Sequence, residues 1–145
     1  MIRAWAMLAA LLGVLTLACT SGNTAPEPHW VELSSSHPTA TVPAPKTDKA
    51  GRVRVQIRAL DNPGLQGIAI RVALSNPDGS QTDLGAVSPF PVDRAGDLHV
   101  KLTPDAARRL GERDGLFVLT LVTADPSRAL RADIHLTLTA TPVAG

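Results

Sequence analysis

Two histidines in the second half of the chain, His99 and His135, are the side chains best suited to bind a metal ion. Each alternates with apolar residues, so each points to the outer face of its own predicted strand. If the two strands paired, the imidazoles would meet on one face and hold copper together with Asp97 or Asp133. In the alternative interpretation, both histidines simply face solvent. We favour the second interpretation and predict no metal site, with His99 and His135 as the candidates.

Other catalytic patterns are missing from the sequence. It contains no Gly-x-Ser-x-Gly elbow, no phosphate-cradling glycine loop and no His-Glu-x-x-His helix. Between residues 51 and 145 the only glutamate is Glu112. Acid–base catalysis would therefore depend on aspartates that mostly occupy turn-like segments. We expect no enzyme, no catalytic residue, no cofactor and no small-molecule substrate.

Four arginines, Arg52, Arg54, Arg58 and Arg71, form a basic stripe on the outward face of the first two predicted strands. As a functional feature, the stripe would meet an acidic partner or lipid headgroups. As a structural feature, arginines on an outer or edge strand keep a sheet soluble and deter pairing with other chains. We favour the structural interpretation and keep the four residues as candidate partner-binding groups.

The overall charge argues against nucleic acid as a partner. The chain has 14 Lys plus Arg and 13 Asp plus Glu, and loss of a leader containing Arg3 would make the numbers equal. A protein without a net positive field does not attract polyanions over a distance. By this criterion neither nucleic acid nor anionic lipid is a favoured partner.

Cys19 is the only cysteine, so the chain can form no internal disulfide and no cysteine-based metal site. It follows Arg3 and an uncharged apolar stretch over residues 4–18. That stretch is too short to cross a hydrocarbon core of about 30 Å as a helix. Its length and flanks are those of a signal peptide. In an exported protein an unpaired thiol requires an explanation.

The segment Leu15-Thr16-Leu17-Ala18-Cys19 resembles the lipobox of bacterial lipoproteins. The resemblance implies a diacylglycerol on the Cys19 sulfur and cleavage after Ala18; ordinary cleavage with a free thiol is the alternative. Two or more acyl chains would anchor the protein stably to a membrane. By the same resemblance, Thr20 in place of aspartate favours the outer membrane, facing the periplasm or the cell surface.

Residues 20–50 separate this cysteine from the first clear strand. They contain five prolines, which break helices and cannot donate to a β-ladder. The segment predicts a disordered tether, about 30 Å end to end if flexible and about 95 Å if polyproline-like. We interpret its only apolar cluster, residues 28–33, as a linker feature rather than a docking peptide. The predicted organisation is a leader (1–18), a lipidated cysteine with its tether (19–50) and a folded domain (51–145).

Alternation of apolar and polar residues begins at residue 51 and is typical of strands with one buried face. Residues 116–122 are apolar on both faces, as in a central strand. The alternating stretches are residues 52–59, 68–74, 97–102 and 130–139.

Turns and one helical turn separate these stretches. Asn76-Pro77-Asp78-Gly79 is a strong turn signal, and a short helix is predicted between Thr103 as its cap and Gly111 as its end. Short strands with turns at intervals of about ten residues indicate a sandwich or barrel. We predict an all-β fold, a single small antiparallel β-sandwich of six or seven strands.

The order of these segments resembles the β-domain that follows the copper domain in polyphenol oxidases and tyrosinase-like proteins. The likeness is carried by residues 70–79, 84–90, 98–102, 117–122 and 134–136. In such enzymes the six copper-binding histidines lie in the other domain, and this chain has four histidines in all. The resemblance therefore implies a sandwich fold and an accessory role, without copper chemistry of its own.

Three functional hypotheses follow. The leading one is a membrane-anchored lipoprotein that presents a non-catalytic β-sandwich as an accessory or binding module to another envelope protein. A second is a copper-handling accessory protein that serves a partner oxidase through His99 and His135. A third is a passive structural lipoprotein of the cell surface.

Overall fold

The computed structural model describes residues 27–145, which form eight strands and one helix. The predicted class, a small antiparallel all-β sandwich, is confirmed, with eight strands rather than six or seven. In chain order the elements are β1 (Val31–Ser34), β2 (Thr39–Ala44), β3 (Ala50–Asp61), β4 (Ile68–Ser75), β5 (Gln81–Val87), β6 (Gly96–Lys101), α1 (Pro104–Glu112), β7 (Gly115–Thr123) and β8 (His135–Ala144).

The strands form two antiparallel sheets of four. Sheet A has the order β1-β8-β3-β6, and sheet B has the order β2-β7-β4-β5. The first strand pairs with the eighth, the second with the seventh, the third with the sixth and the fourth with the fifth. The chain is thus one antiparallel ribbon that doubles back at the β4–β5 turn and rolls around a common core. This is the jelly-roll arrangement.

The inner faces of both sheets make one hydrophobic core. Alternate residues of each strand point inward, as the sequence pattern predicts, and Phe117 in β7 is the only aromatic residue among them. Burying a side chain of this kind stabilises the fold by about 1.5–3 kcal/mol. The largest of the fully buried side chains are Phe117, Leu33, Ile68, Ile70, Leu110, Leu119, Leu121, Ile134, Leu136 and Leu138.

Residues 31–44 belong to the sandwich, so the predicted disordered tether over residues 19–50 is wrong for this stretch. β1 pairs with β8 and β2 pairs with β7, each at the edge of its sheet. Leu33 and Val42 bury their side chains in the core. Pro43 is tolerated in β2 because one side of an edge strand has no ladder partner to bond. The sandwich therefore begins near residue 31 rather than 51.

The helix is longer than the single turn predicted. Thr103 Oγ1 accepts a hydrogen bond from the Ala106 N–H at 3.3 Å, and Pro104 occupies the first turn, as the sequence predicts. The prediction that Gly111 ends the helix is wrong, because the helix runs through it. The Arg113 N–H still bonds to a helix carbonyl and closes the last turn.

Two strands depart from the predicted alternation. A register shift between Ile57 and Ala59 marks an irregularity in β3, and Ala59 is exposed although its spacing predicts an inward position. The last strand begins at His135, so Ala132 is exposed as well. Spacing along one strand cannot reveal a bulge, because a bulge is a property of pairing with a second strand.

Asn62 joins two loops at one end of the sandwich. Its side chain is 3% exposed. Nδ2 donates to the carbonyl oxygens of Gln66 at 2.8 Å and Val92 at 2.9 Å, and Oδ1 accepts from the Gln66 N–H at 3.1 Å. Val92 lies between β5 and β6, so one amide ties the β3–β4 connection to the β5–β6 connection.

Candidate functional site

Cys19, the predicted lipidation site, lies outside the described residues, as does the predicted leader over residues 1–18. Both assignments stay predictions. Residues 27–30 of the predicted tether are described and lead directly into β1.

Three of the four candidate arginines share one surface. Arg52, Arg54 and Arg58 lie on the outer face of β3 in sheet A. Arg71 lies on the outer face of β4 in sheet B, on the opposite side of the sandwich. A single stripe that includes Arg71 is therefore wrong, because the consecutive strands β3 and β4 belong to different sheets.

The strand that carries these three arginines is internal. β3 pairs with β8 on one side and with β6 on the other. Both of its edges are occupied, so arginines on β3 do not protect a sheet edge. The edge-protection part of the structural interpretation therefore does not account for Arg52 and Arg54, and the solubility part stays a prediction.

Across from β3, the sixth strand adds further basic groups. Arg52 stands directly opposite Lys101, and Arg54 directly opposite His99. Directly opposite residues have Cβ atoms about 4.5–5.5 Å apart, and like charges in such positions, here Arg52 and Lys101, destabilise a sheet. We call Arg52, Arg54, His99 and Lys101 the β3–β6 cluster. The stability of the sheet does not explain it.

None of these cluster side chains forms an ion pair with another residue in the range 27–145. Arg54 Nε is buried and has no hydrogen-bond partner among the described residues. By contrast, the ion-paired arginines of the loops and helix each meet an acid within four residues of sequence, and these are Arg108, Arg109, Arg128 and Arg131. The cluster thus has more hydrogen-bond donors than acceptors.

Carboxylates on the same outer face lie farther along the strands. Asp97 pairs with Gln56, two positions from the cluster, and Asp61 pairs with His135. Glu32 lies on β1. Among the described residues, the outer face of sheet A therefore carries basic groups without carboxylates at the end near α1, and carboxylates together with Arg58 and His135 toward the other end.

Trp30 extends this surface and was assigned to the tether by its sequence position. The Arg58 guanidinium carbon lies 4.6 Å from the centroid of the Trp30 ring, within the range of a cation–π contact. Trp30 immediately precedes β1, so the amino-terminal segment joins the sandwich on sheet A. The apolar cluster at residues 28–33 was the available sequence signal for this contact.

The two candidate metal-binding histidines do not meet. Both lie on the outer face of sheet A, but β3 separates their strands. His99 pairs with Arg54, which pairs with Thr141, six residues along β8 from His135. Six strand residues correspond to about 20 Å. The condition on which the copper hypothesis rests, adjacent imidazoles, is not met.

A cleft of about 600 Å³ lies at the His135 end of the sandwich. The histidine that shares it with His135 is His37, from the β1–β2 connection. Glu32 and Asp61 also line it. Sequence spacing gives no sign of this grouping, because the sequence predicts a tether over residues 31–44.

A second cleft, of about 610 Å³, lies between α1 and the β4–β5 turn. Arg109 lines it and donates to Asn76 Oδ1 at 2.7 Å. The Ser80 hydroxyl holds the pKa of Asp78 below its usual value. On α1, Arg108 likewise lowers the pKa of Asp105 through a side-chain hydrogen bond. The polar groups around this cleft largely satisfy one another.

Within residues 27–145, no group of three or more His, Cys, Asp or Glu side chains is arranged to hold a metal ion. The described part of the chain also contains no helix long and apolar enough to cross a membrane.

Comparison of the chain with protein-family models and with curated proteins gave no match. The resemblances to bacterial lipoproteins and to the β-domain of tyrosinase-like proteins stay predictions.

Proposed function

We propose that the chain is an exported lipoprotein, anchored to a bacterial envelope membrane through acylated Cys19, whose jelly-roll domain is a non-catalytic binding module. The observation that carries the proposal is the lipobox-like segment ending in Ala18-Cys19, which follows an uncharged apolar stretch of signal-peptide length. The diacylglycerol would be the only prosthetic group, and the partner would be a component of the envelope.

The position of the sandwich supports a short-range role. Only residues 20–30 separate Cys19 from β1, and a chain of that length spans about 40 Å at most. The tether predicted over residues 20–50 would have reached farther. An anchored domain of this kind works close to the membrane surface.

The outer face of sheet A supports a binding role. It combines the β3–β6 cluster with the Trp30–Arg58 contact. Lys101 and His99 lie on the edge strand β6, but Arg52, Arg54 and Arg58 lie on the internal strand β3, where edge protection does not explain them. Charged groups arranged without partners at a surface are the kind of feature that recognises a ligand of opposite charge.

Metabolic labelling with a fatty acid tests the anchor. We expect the wild-type protein to carry the label and to fractionate with membranes. Cys19→Ser should lose the label completely, because serine has no sulfur to acylate. Ser21→Ala, two residues away, serves as the matched control and should be labelled like the wild type. A Cys19→Ser protein that is processed normally and stays in the membrane fraction would contradict the proposal.

A further inference from the structure

The β3–β6 cluster lies on a broad sheet face rather than in a cavity. Neither of the two clefts described above is lined by Arg52, Arg54, His99 or Lys101. The cluster therefore suits an extended charged surface better than an enclosed small molecule.

We propose that the outer face of sheet A docks onto anionic phospholipid, with the β3–β6 cluster binding the phosphate groups. Arginine presents a planar fork of N–H donors that matches phosphate oxygens, and Lys101 adds a charged ammonium group. Two cross-strand pairs at about 5 Å spacing place these donors side by side. A phosphate between them relieves the repulsion that the free sheet carries.

Trp30 contributes to the same face. A tryptophan ring has an apolar body and a polar N–H, and such rings concentrate at the boundary between lipid and water. Because Trp30 precedes β1, the segment that would lead to the lipid anchor leaves from sheet A. The orientation of the domain on the membrane rests on the proposed function, because it requires the lipid anchor. The binding of phosphate by the β3–β6 cluster does not.

The end of the face that carries the carboxylates restricts the contact. Glu32 and Asp61 lie toward the opposite end of sheet A, and Asp97 is two positions from His99. Docking is therefore tilted, with the end of the sandwich nearest α1 closest to the lipid. The near-zero net charge of the chain does not prevent docking. A lipid headgroup interacts mainly with protein charges that lie within a Debye length of about 8–10 Å, because more distant charges are screened by salt.

Vesicle co-sedimentation tests this surface without the anchor. The chain from Thr20 to Gly145 contains all the strands and core residues that the structure describes over residues 27–145, so it carries that folded unit. We expect it to bind phosphatidylcholine vesicles only when they contain phosphatidylglycerol, and to dissociate as salt is raised. The double variant Arg52→Gln/Lys101→Gln should bind roughly 10- to 30-fold more weakly.

Arg71→Gln is the matched control, because it removes one arginine from the outer face of sheet B. It should bind like the wild type, and the thermal unfolding of each variant should confirm that it is folded. Absence of phosphatidylglycerol-dependent binding, or an equal loss in Arg71→Gln, would overturn the proposal.

Two further binding measurements identify the ligand. Binding of polyglutamate without binding of vesicles would overturn the lipid in favour of an acidic protein. Displacement from vesicles by inorganic phosphate, beyond the effect of chloride at equal ionic strength, would overturn it in favour of free phosphate. Because the tested chain lacks Cys19, its failure leaves the anchor standing, and a failed Cys19 labelling experiment leaves vesicle binding standing.

Discussion

The outer faces of the two sheets differ although their inner faces follow one pattern. On sheet A, Arg52 and Arg54 stand opposite Lys101 and His99, and no described carboxylate pairs with them. On sheet B, the outward positions are mostly small or β-branched, and Arg71 is the charged residue among those on β4 and β7. Neighbours across the strands lower its outward Ala69, Ala73 and Val118 to exposures of 7–9%.

This difference separates what folding requires from what it leaves free. Inward positions must be apolar because both sheets share one core. Outward positions are under no such constraint, so an arrangement there that lowers stability has another origin. Sheet B fills its outer face with residues that suit a pleated surface. Sheet A instead carries like charges directly opposite each other.

The largest expected effect tests the shared core. Phe117→Ala in sheet B should lower the free energy of unfolding by about 3–5 kcal/mol, and Leu138→Ala in sheet A by about 2–5 kcal/mol, because both side chains are fully buried. Denaturant unfolding should show one transition in both variants. Phe90, which is 93% exposed, provides the control, and Phe90→Ala should change stability by less than about 0.5 kcal/mol. Separate transitions for the two sheets would contradict a common core.

A smaller loss of stability is expected from breaking the hydrogen bonds of Asn62, which join the β3–β4 and β5–β6 connections between the sheets. Asn62→Asp replaces an amide that donates to two carbonyl oxygens with a carboxylate that would repel them. We expect a loss of about 3 kcal/mol in the free energy of unfolding at neutral pH, measured by urea denaturation.

The same change at Asn76 is its control. Asn76 Oδ1 accepts from Arg109 at 2.7 Å, and a carboxylate would keep that bond in a charge-assisted form. Of its two Nδ2 partners, the Thr82 hydroxyl can turn to donate, whereas the Ser80 hydroxyl already donates to Asp78. Because only the exposed Ser80 contact is lost, Asn76→Asp should lower stability by about 1 kcal/mol, clearly less than Asn62→Asp. Equal losses at the two positions would show that the Asn62 bonds are not the cause.

Reversing one charge of the β3–β6 cluster should have the least effect on stability, and it tests the difference between the two outer faces. Lys101→Glu places an opposite charge across from Arg52 and should raise the free energy of unfolding by about 0.2–1 kcal/mol. The same variant should bind anionic vesicles more weakly. Arg71→Glu lies between Thr120 and Ala86, which are uncharged, and should leave stability nearly unchanged. A destabilised Lys101→Glu variant would remove the argument that the cluster costs stability.

Much of the local structure was predictable from the sequence. The alternation in β3, β4 and β6 predicts their buried faces, and Thr103 with Pro104 predicts the start of α1. The Asn76–Gly79 turn is present, with Gly79 at a φ of 85°, a conformation that glycine adopts without strain. These features depend on the preferences of a few adjacent residues, which are the same in the sequence and in the fold.

The sequence could not predict the pairing that creates the candidate site. The edge strands β1 and β2 are short, so their alternation covers only two and three apolar positions. Prolines lie in or near both strands, and these local signals favour a tether. Trp30 and His37 were placed outside the fold for the same reason. His99 and His135 lie on the same face of sheet A but on strands that β3 separates. The distance between them depends on the register of β3 against β6 and β8, which the sequence does not reveal.

The alternation of apolar and polar residues predicts a β-sandwich with an apolar core, and it predicts that Arg52, Arg54 and Arg58 point away from that core. Period-two alternation is enough for both predictions. Successive side chains of a strand point to opposite faces, so the polarity pattern of a single strand shows which of its faces is buried. Which strands are neighbours becomes known only from the folded protein. Pairing brings together residues far apart in the chain, so only the folded sheets place Lys101 opposite Arg52 and move Arg71 to the other side.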